Sequence, residues 1–391
     1  MRLGDCCKTN LHTYSDKEKW SLIRYLDTGS ITEGRIDEIQ TLYPGVDKIP
    51  SRARRKASVG DILFSTVRPN QKHYGIIEAG TENLLVSTGF TVVTVDTTIA
   101  DPYFIYYYLT QSSVIESLQA IAEQSTSTYP SIKPSDIEDI ELDLPELETQ
   151  KKIGSTLRML DRKIALNEEI NDNLEQQAQS YFQELFVDNA DPEWAIGTIS
   201  DLGTVVGGST PSKAKPEYYT ESGIAWITPK DLSINKSKFV SHGENDITEL
   251  GLKNSSAAIM PEGTVLFSSR APIGYIAIAA GEVTTNQGFK SVVPKPEIGT
   301  PFVYFFLKNT LPVIEGMASG STFKEVSGST MKNVPAVIPD AETLAKFSEF
   351  CAPIFAQQRI LEEQNQSLAT LRDNLLPKLM SGEIDVSAVQ L

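Results

Sequence analysis

Arg52, Arg54, Arg55 and Lys56 crowd into five residues, and Arg68, Gln71, Lys72, His73 and Tyr74 follow just beyond a short apolar run. Clustered cations hold phosphate oxygens by charge, and Arg, Gln and Lys can also match the hydrogen-bond pattern of base edges in a DNA groove. A second set lies further along the chain: Lys213, Lys215, Tyr218, Tyr219, Lys230 and Arg270. Thr126, Ser127, Thr322 and Lys324 add hydroxyl and ammonium donors in Ser/Thr-rich stretches that precede long helical patterns. The competing reading of any such run is a solvated surface. For Arg68 and Arg270 it is also a role in bracing the strand before each.

Catalytic patterns are missing. Asp101-Pro102-Tyr103-Phe104 resembles the Asn/Asp-Pro-Pro-aromatic motif of amino-methyltransferases, yet it lacks the second proline and no Gly-rich cofactor loop precedes it. A loop entering a helix is the expected form. Gly207-Gly208-Ser209-Thr210-Pro211-Ser212-Lys213 has no Gly-Lys-Ser/Thr and so is no phosphate loop. His12, His73 and His242 are scattered, and Cys6, Cys7 and Cys351 fit neither a metal-site spacing nor an even disulfide framework. The expectation is a binding protein with no catalytic residues, no metal and no cofactor of its own.

The formal net charge is -16, which argues superficially against a nucleic-acid partner. Its distribution says more: residues 1–75 carry +4 and residues 76–145 carry -10. Binding to DNA depends on the local field near the phosphates rather than on the sum. At 391 residues, 40% hydrophobic and 22% charged, the composition is that of a globular chain of more than one domain. No run approaches the ~18 apolar residues of a membrane span. The first residues lack the apolar core of a signal peptide. A reducing cytoplasm is the expected location.

The elements that would carry these residues occur twice. Gly60-Asp61-Ile62-Leu63-Phe64-Ser65 matches Gly263-Thr264-Val265-Leu266-Phe267-Ser268, and each is followed by an arginine and a proline, Arg68-Pro69 and Arg270-Ala271-Pro272. Ser87-Thr88-Gly89-Phe90 is similar to Asn286-Gln287-Gly288-Phe289, and Phe104-Ile105-Tyr106-Tyr107-Tyr108-Leu109 to Phe302-Val303-Tyr304-Phe305-Phe306-Leu307. The offset drifts from 203 at Gly60/Gly263 to 194 at Pro145/Pro339, as small loop differences between two copies would produce. Short β patterns are expected over 61–66, 75–78, 84–95, 263–269, 274–280 and 289–293. Aromatic helices are expected over 103–111 and 302–309.

A long helix closes each copy. From Ile153 the apolar ladder runs through Leu157, Leu160, Ile164, Asn167, Asn171, Leu174, Ala178, Tyr181 and Leu185, in alternating steps of four and three. Adding 194 gives Phe347, Cys351, Ile354, Gln358, Leu361, Asn365, Leu368, Arg372, Leu375 and Leu379, with Pro377 expected to end or kink the second helix. At ~1.5 Å per residue, residues 150–186 would span roughly 55 Å. Two such helices in one chain should pair antiparallel. Asn171 and Asn365 occupy equivalent seam positions, where a polar residue can fix register.

Leu147-Glu148-Thr149-Gln150-Lys151-Lys152-Ile153, continuing through Leu160-Asp161-Arg162-Lys163-Ile164 and Asn171, resembles the central region of Type I restriction-modification specificity subunits. The run 371–384 is similar to that family's C-terminal region, and Phe267-Ser268-Ser269-Arg270-Ala271-Pro272-Ile273-Gly274 is typical of it. The resemblance covers essentially the whole chain. It implies an α+β fold with two pseudo-symmetric β-rich target-recognition domains separated by two long antiparallel coiled-coil helices. The expected partition is 1–145, 146–187, 188–338 and 339–391. It implies that each domain reads one half of an asymmetric, bipartite duplex-DNA site and that the helices set the spacer. It also implies two methyltransferase subunits that use S-adenosylmethionine to methylate adenine at N6, and it allows for two restriction subunits with ATP- and Mg-dependent translocation and cleavage. Base flipping would belong to the methyltransferase subunits, because the target atom is inaccessible in a stacked duplex.

Three rival classes stand beside this. An acidic scaffold or DNA-mimic inhibitor is opposed by the basic stretch 1–75. A polysaccharide-binding or adhesion module is disfavoured by the heptad helices. An isolated methyltransferase lacks its motifs.

Overall fold

The computed structural model describes residues 1–125, 129–320 and 324–386. Thr126, Ser127 and Thr322 therefore lie outside the described residues. The chain forms two compact units, Met1–Ile164 with Ser367–Leu391, and Ala165–Gln366. The sequence-based partition set the long helices apart as segments of their own. In the fold each unit takes a share of both, because an amphipathic helix must bury its apolar stripe against something.

In the first unit two four-stranded sheets meet. One has the order Cys7–Thr9, Phe90–Val95, Ile62–Ser65, Tyr74–Ile76, all antiparallel. The other has the order Gln40–Leu42, Ile23–Leu26, Leu84–Ser87, Ala53–Lys56, with one parallel pair, Ile23–Leu26 beside Leu84–Ser87. Residues 84–95, expected as one strand, are two. The chain passes from the second sheet to the first at Thr88-Gly89, and each half pairs with different neighbours. All four residues of Ile62–Ser65 are buried, so this strand reads as an apolar run rather than an alternation.

The second unit repeats the plan. Gly203–Gly207, Lys290–Pro294, Val265–Ser269 and Ile273–Ala279 form the same antiparallel order, and Phe239–Val240 adds a fifth strand in parallel. Trp226–Ile227 and Thr284–Thr285 pair in parallel, as their counterparts do in the first unit. The repeat in the sequence is thus a repeat in topology.

Asp101 caps the helix Pro102–Thr110: its Oδ1 accepts the Phe104 N–H at 2.9 Å, and Pro102 takes the first turn, where its missing donor is harmless. The Asp-Pro-Tyr-Phe stretch is a helix start. Its counterpart Thr300–Gly316 extends beyond the expected 302–309 and carries Pro312 inside it.

The long helices run over Leu147–Gln183, followed by a π-helical turn Glu184–Asp188, and over Ala341–Met380. Pro377 neither ends nor sharply shortens the second: one absent N–H near the end is tolerated where Leu379, 3% exposed, anchors the last turn in the core. In the first unit Ile153, Leu157 and Leu379 are buried in one cluster, with Leu375 packed against it, and Leu160, Ile164 and Leu368 are half-buried. In the second unit Ala178, Phe182, Phe347, Cys351 and Ile354 share a cluster that Leu174 adjoins, and Leu361 is buried. Each fully buried side chain of this size contributes about 1.5–3 kcal/mol.

Polar residues interrupt the seam, and part of their hydrogen-bonding capacity is met across it. Asn167 Nδ2 donates to Asn365 Oδ1 at 2.7 Å and to Gln364 Oε1 at 2.8 Å, and Gln358 Nε2 donates to the Asn171 carbonyl at 3.1 Å. Numbers rise on one helix as they fall on the other, so the pairing is antiparallel. Asn365 meets Asn167 rather than its repeat equivalent Asn171, because an antiparallel pair brings together non-equivalent positions.

Candidate nucleic-acid interface

In the first unit, Ala53–Lys56 is a strand beside Leu84–Ser87, which brings Arg54, Arg55 and Lys56 onto a sheet. They are not equivalent. Arg55 Nη1 donates to Asn10 Oδ1 at 2.6 Å, and burial pulls its guanidinium below the usual range. Asn10 Oδ1 also accepts the Val92 N–H, so Arg55 ties two strands together. Lys56 pairs with Glu18 and lies 5.2 Å from the centre of the Trp20 ring. Arg52 is exposed, and its carbonyl accepts the Thr88 N–H. Arg54 lines a hollow of about 390 Å³ together with Tyr14, Lys19, Trp20, Ile49 and Pro50.

Past the next strand, Arg68 adopts a left-handed conformation (φ 48°) with its guanidinium 5.1 Å from the Tyr129 ring centre. A non-glycine residue held there costs about 1–3 kcal/mol and persists only where its surroundings enforce it. Gln71 and Lys72 are exposed, with Lys72 paired to Glu33 at 2.5 Å. His73 Nδ1 lies 2.7 Å from the Ile31 carbonyl. Tyr74 is 6% exposed and stacks on Phe64. Its place is the core, and it cannot reach a base.

In the second unit, Lys213, Lys230, Arg270, Asn286 and Gln287 converge on a cleft of about 490 Å³ floored by Trp226. Lys230 pairs with Glu244 at 2.6 Å, both side chains about three-fifths exposed (61% and 60%), and the carboxylate raises the ammonium above its usual range. A pair so exposed is worth little and gives up its cation to a phosphate readily. Arg270 faces Glu325 at 3.5 Å, and Ala271 beside it is left-handed (φ 49°). Both repeated arginine loops thus hold a non-glycine residue in that region. Lys215 lies outside the cleft lining, its ammonium 5.3 Å from the Tyr218 ring. Tyr218 is 5% exposed and belongs to the interior, and Tyr219 bonds the Pro211 carbonyl at 2.6 Å. Lys324 is exposed beside Glu325.

Sequence reasoning did not single out Tyr14, Lys19, Trp20, Trp226, Asn286 or Gln287 as contact residues. A signal for the last two lay in the repeat itself, since Asn286-Gln287-Gly288 is the counterpart of Ser87-Thr88-Gly89.

Each unit presents cations of the kind that can hold phosphates around outward amide and hydroxyl groups, on equal frameworks with unequal side chains. No helix is long and apolar enough to cross a membrane among the described residues.

The profile of a family described as the Type I restriction modification DNA specificity domain matches residues 48–176 and 192–371. The chain is 25% identical to the Type I restriction enzyme HindI specificity subunit of Haemophilus influenzae, over 98% of each chain. Over 44% of its length, and 40% of the relative's, it is 40% identical to the MjaIX specificity subunit of Methanocaldococcus jannaschii. In fold it is similar to the crystal structure of a Type I restriction-modification S subunit from M. genitalium, with TM-score 0.59 at 17% identity, covering 97% and 95% of the two chains.

Proposed function

The chain belongs to the Type I restriction-modification DNA specificity family, and from that membership we propose that it binds an asymmetric, two-part duplex-DNA sequence and directs partner subunits to it. The observation that carries this reading is the doubled topology: one strand order built twice, with Arg68, Gln71 and Thr88 on one copy and Lys213, Arg270 and Gln287 on the other. Equal frameworks with unequal side chains suit two unequal half-sites, whereas a symmetric site would need equal readers.

The long helices, each contributing to both units, are the natural setters of the distance between half-sites. Partner subunits would dock along these helices. Those partners are two methyltransferase subunits and, where the system cleaves, two restriction subunits. S-adenosylmethionine, ATP and Mg would be held by them, and this chain contributes no catalytic group. Its own work is to position: cations hold the backbone, and amides and hydroxyls read base edges.

The test is base-resolved mapping of N6-methyladenine in cells carrying this gene with its methyltransferase partner, against deletion of this gene alone. Loss of one split motif on deletion is expected. A methylation pattern unchanged by the deletion would overturn the reading.

A further inference from the structure

One turn is built twice in this protein, with the hydrogen bonds to and from its glycine repeated in both copies. In the first unit Ser87 Oγ accepts the Gly89 N–H at 3.3 Å; in the second Asn286 Oδ1 accepts the Gly288 N–H at 2.8 Å. The Gly89 carbonyl accepts both the N–H and the hydroxyl of Thr66, at 2.8 and 2.9 Å. The Gly288 carbonyl accepts both the N–H and the hydroxyl of Ser269, at 2.7 and 3.0 Å. Each turn is also tied to a neighbouring segment, though from different positions: the middle residue in the first unit, Thr88 N–H to the Arg52 carbonyl at 2.9 Å, and the first residue in the second, Asn286 N–H to the Ile227 carbonyl at 3.0 Å. A side chain would be crowded at both glycines: a Cβ would come within 2.8 Å of Thr28 Cγ2 at Gly89, and within 2.9 Å of Asn286 Oδ1 and 3.0 Å of Pro229 Cγ at Gly288.

Between the pinned residues each turn presents one exposed side chain, Thr88 in the first unit and Gln287 in the second. Gln287 lines the cleft with Lys213, Lys230 and Arg270. Thr88 stands beside exposed Arg52. A scaffold shared by the two copies to this degree, with the one outward residue changed, has the form of an interchangeable reading position. We propose that Thr88 and Gln287 are specificity-determining residues, each reading a base edge of one DNA half-site. The inference rests on the function proposed above.

The chemistry suits the task. The Gln287 amide offers a donor and an acceptor side by side, the pattern that pairs with the N6/N7 edge of adenine, while Thr88 offers one hydroxyl and a methyl that can lie against the thymine methyl. Because the backbone of each turn is already held on several sides, little ordering remains to be lost on binding.

The experiment is methylation mapping with the full chain and its methyltransferase partner, comparing wild type with Gln287→Ala, Gln287→Glu, Thr88→Val and Thr88→Gln. Thermal unfolding confirms that each exposed variant keeps the wild-type midpoint. The expected result is a changed or relaxed base in one half of the motif for the Gln287 variants and in the other half for the Thr88 variants, with discrimination at that base reduced roughly 5- to 150-fold. A wild-type split motif that all four variants reproduce unchanged would overturn the inference and leave the proposed function intact. Uniformly weaker methylation with the same motif would also overturn it, assigning these residues to backbone contacts. A wild type that writes no split motif removes the proposed function, and the inference with it.

Discussion

Arg372 Nη1 donates to Asp161 Oδ1 at 2.8 Å, and the partner carboxylate oxygen of Asp161 accepts the Tyr107 hydroxyl at 2.5 Å. The repeat does not preserve this contact. By the offset of 194, Asp161 corresponds to Phe355 and Arg372 to Ala178. A charge pair in the first unit is matched in the second by an aromatic residue and a methyl group, both within that unit's apolar cluster. Burial pushes the Tyr107 hydroxyl far above its ordinary range, with the Asp161 charge adding to it.

Asp161→Ala and Arg372→Ala should each destabilise the first unit, and a double-mutant cycle by urea unfolding should show them coupled by about 0.5–3 kcal/mol. The side chains are 32% and 28% exposed, which keeps the expected coupling below that of a fully buried pair. Additive effects would show that the ion pair contributes nothing beyond its two side chains.

Acid should loosen the second unit through Glu175. Burial works to raise this carboxyl, but the ammonium groups of Lys238 and Lys308, each at 2.5 Å, outweigh burial and hold it below the ordinary glutamate range. The native state therefore binds fewer protons than the unfolded one. The contribution is complete above the unfolded value of about 4.3 and is lost as pH falls through the native one. Glu362, which accepts the N–H groups of Lys238 and Phe239, is pushed up by burial and works in the opposite sense. Its contribution is complete below the unfolded value and fades as pH rises through its raised one. Glu175→Gln leaves the Lys238 side chain, 6% exposed, beside a neutral amide, and should cost about 3–5 kcal/mol at neutral pH while flattening the acid limb. An acid limb as steep as wild type in that variant would place the sensitivity on other carboxyls.

Arg54 and Arg55, adjacent in sequence, should behave differently. Arg54→Ala in the assembled complex should weaken DNA binding without altering the preferred motif and reduce the slope of log K against log salt by roughly 0.9 for each phosphate no longer neutralised. Arg55→Ala breaks the bond to Asn10 and should lower stability by about 1 kcal/mol. Titrations at several salt concentrations, with unfolding curves alongside, separate the two. A new preferred half-site for Arg54→Ala would refute the phosphate role.

Inserting one heptad after Asn171 keeps the apolar seam in phase but shifts every first-helix residue beyond Asn171 by one heptad relative to Asn167 and Asn171, which bond to the second helix. The methylated motif should then carry a changed spacer, or the complex should fail to assemble. Methylation mapping and size-exclusion chromatography read the two outcomes. An assembled insertion variant with the original spacer would exclude a ruler role for the helices.

The repeat, the heptad ladder and the helix starts were legible because each is a one-dimensional pattern. Self-similarity needs only an offset, a coiled-coil seam only its alternating steps, and Asp101-Pro102 writes a helix N-terminus in two residues. Which polar residues face outward was not legible. Tyr74 and Tyr218 sit among cations in sequence yet lie in the interior, since exposure depends on segments packed from far along the chain. Arg55 looks like its neighbour Arg54 until Asn10, 45 residues away, is brought to it.

The order of residues was thus enough to settle that the molecule is one β-rich design made twice and joined to two long helices. Folding alone decided which side chains each copy offers. The turns at Thr88 and Gln287 are held by hydrogen bonds from Thr66 and Ser269, about twenty residues back along the chain (22 and 18 positions). Those bonds exist only once the strands on either side have paired, and no spacing along the chain encodes which way the side chain between them will point.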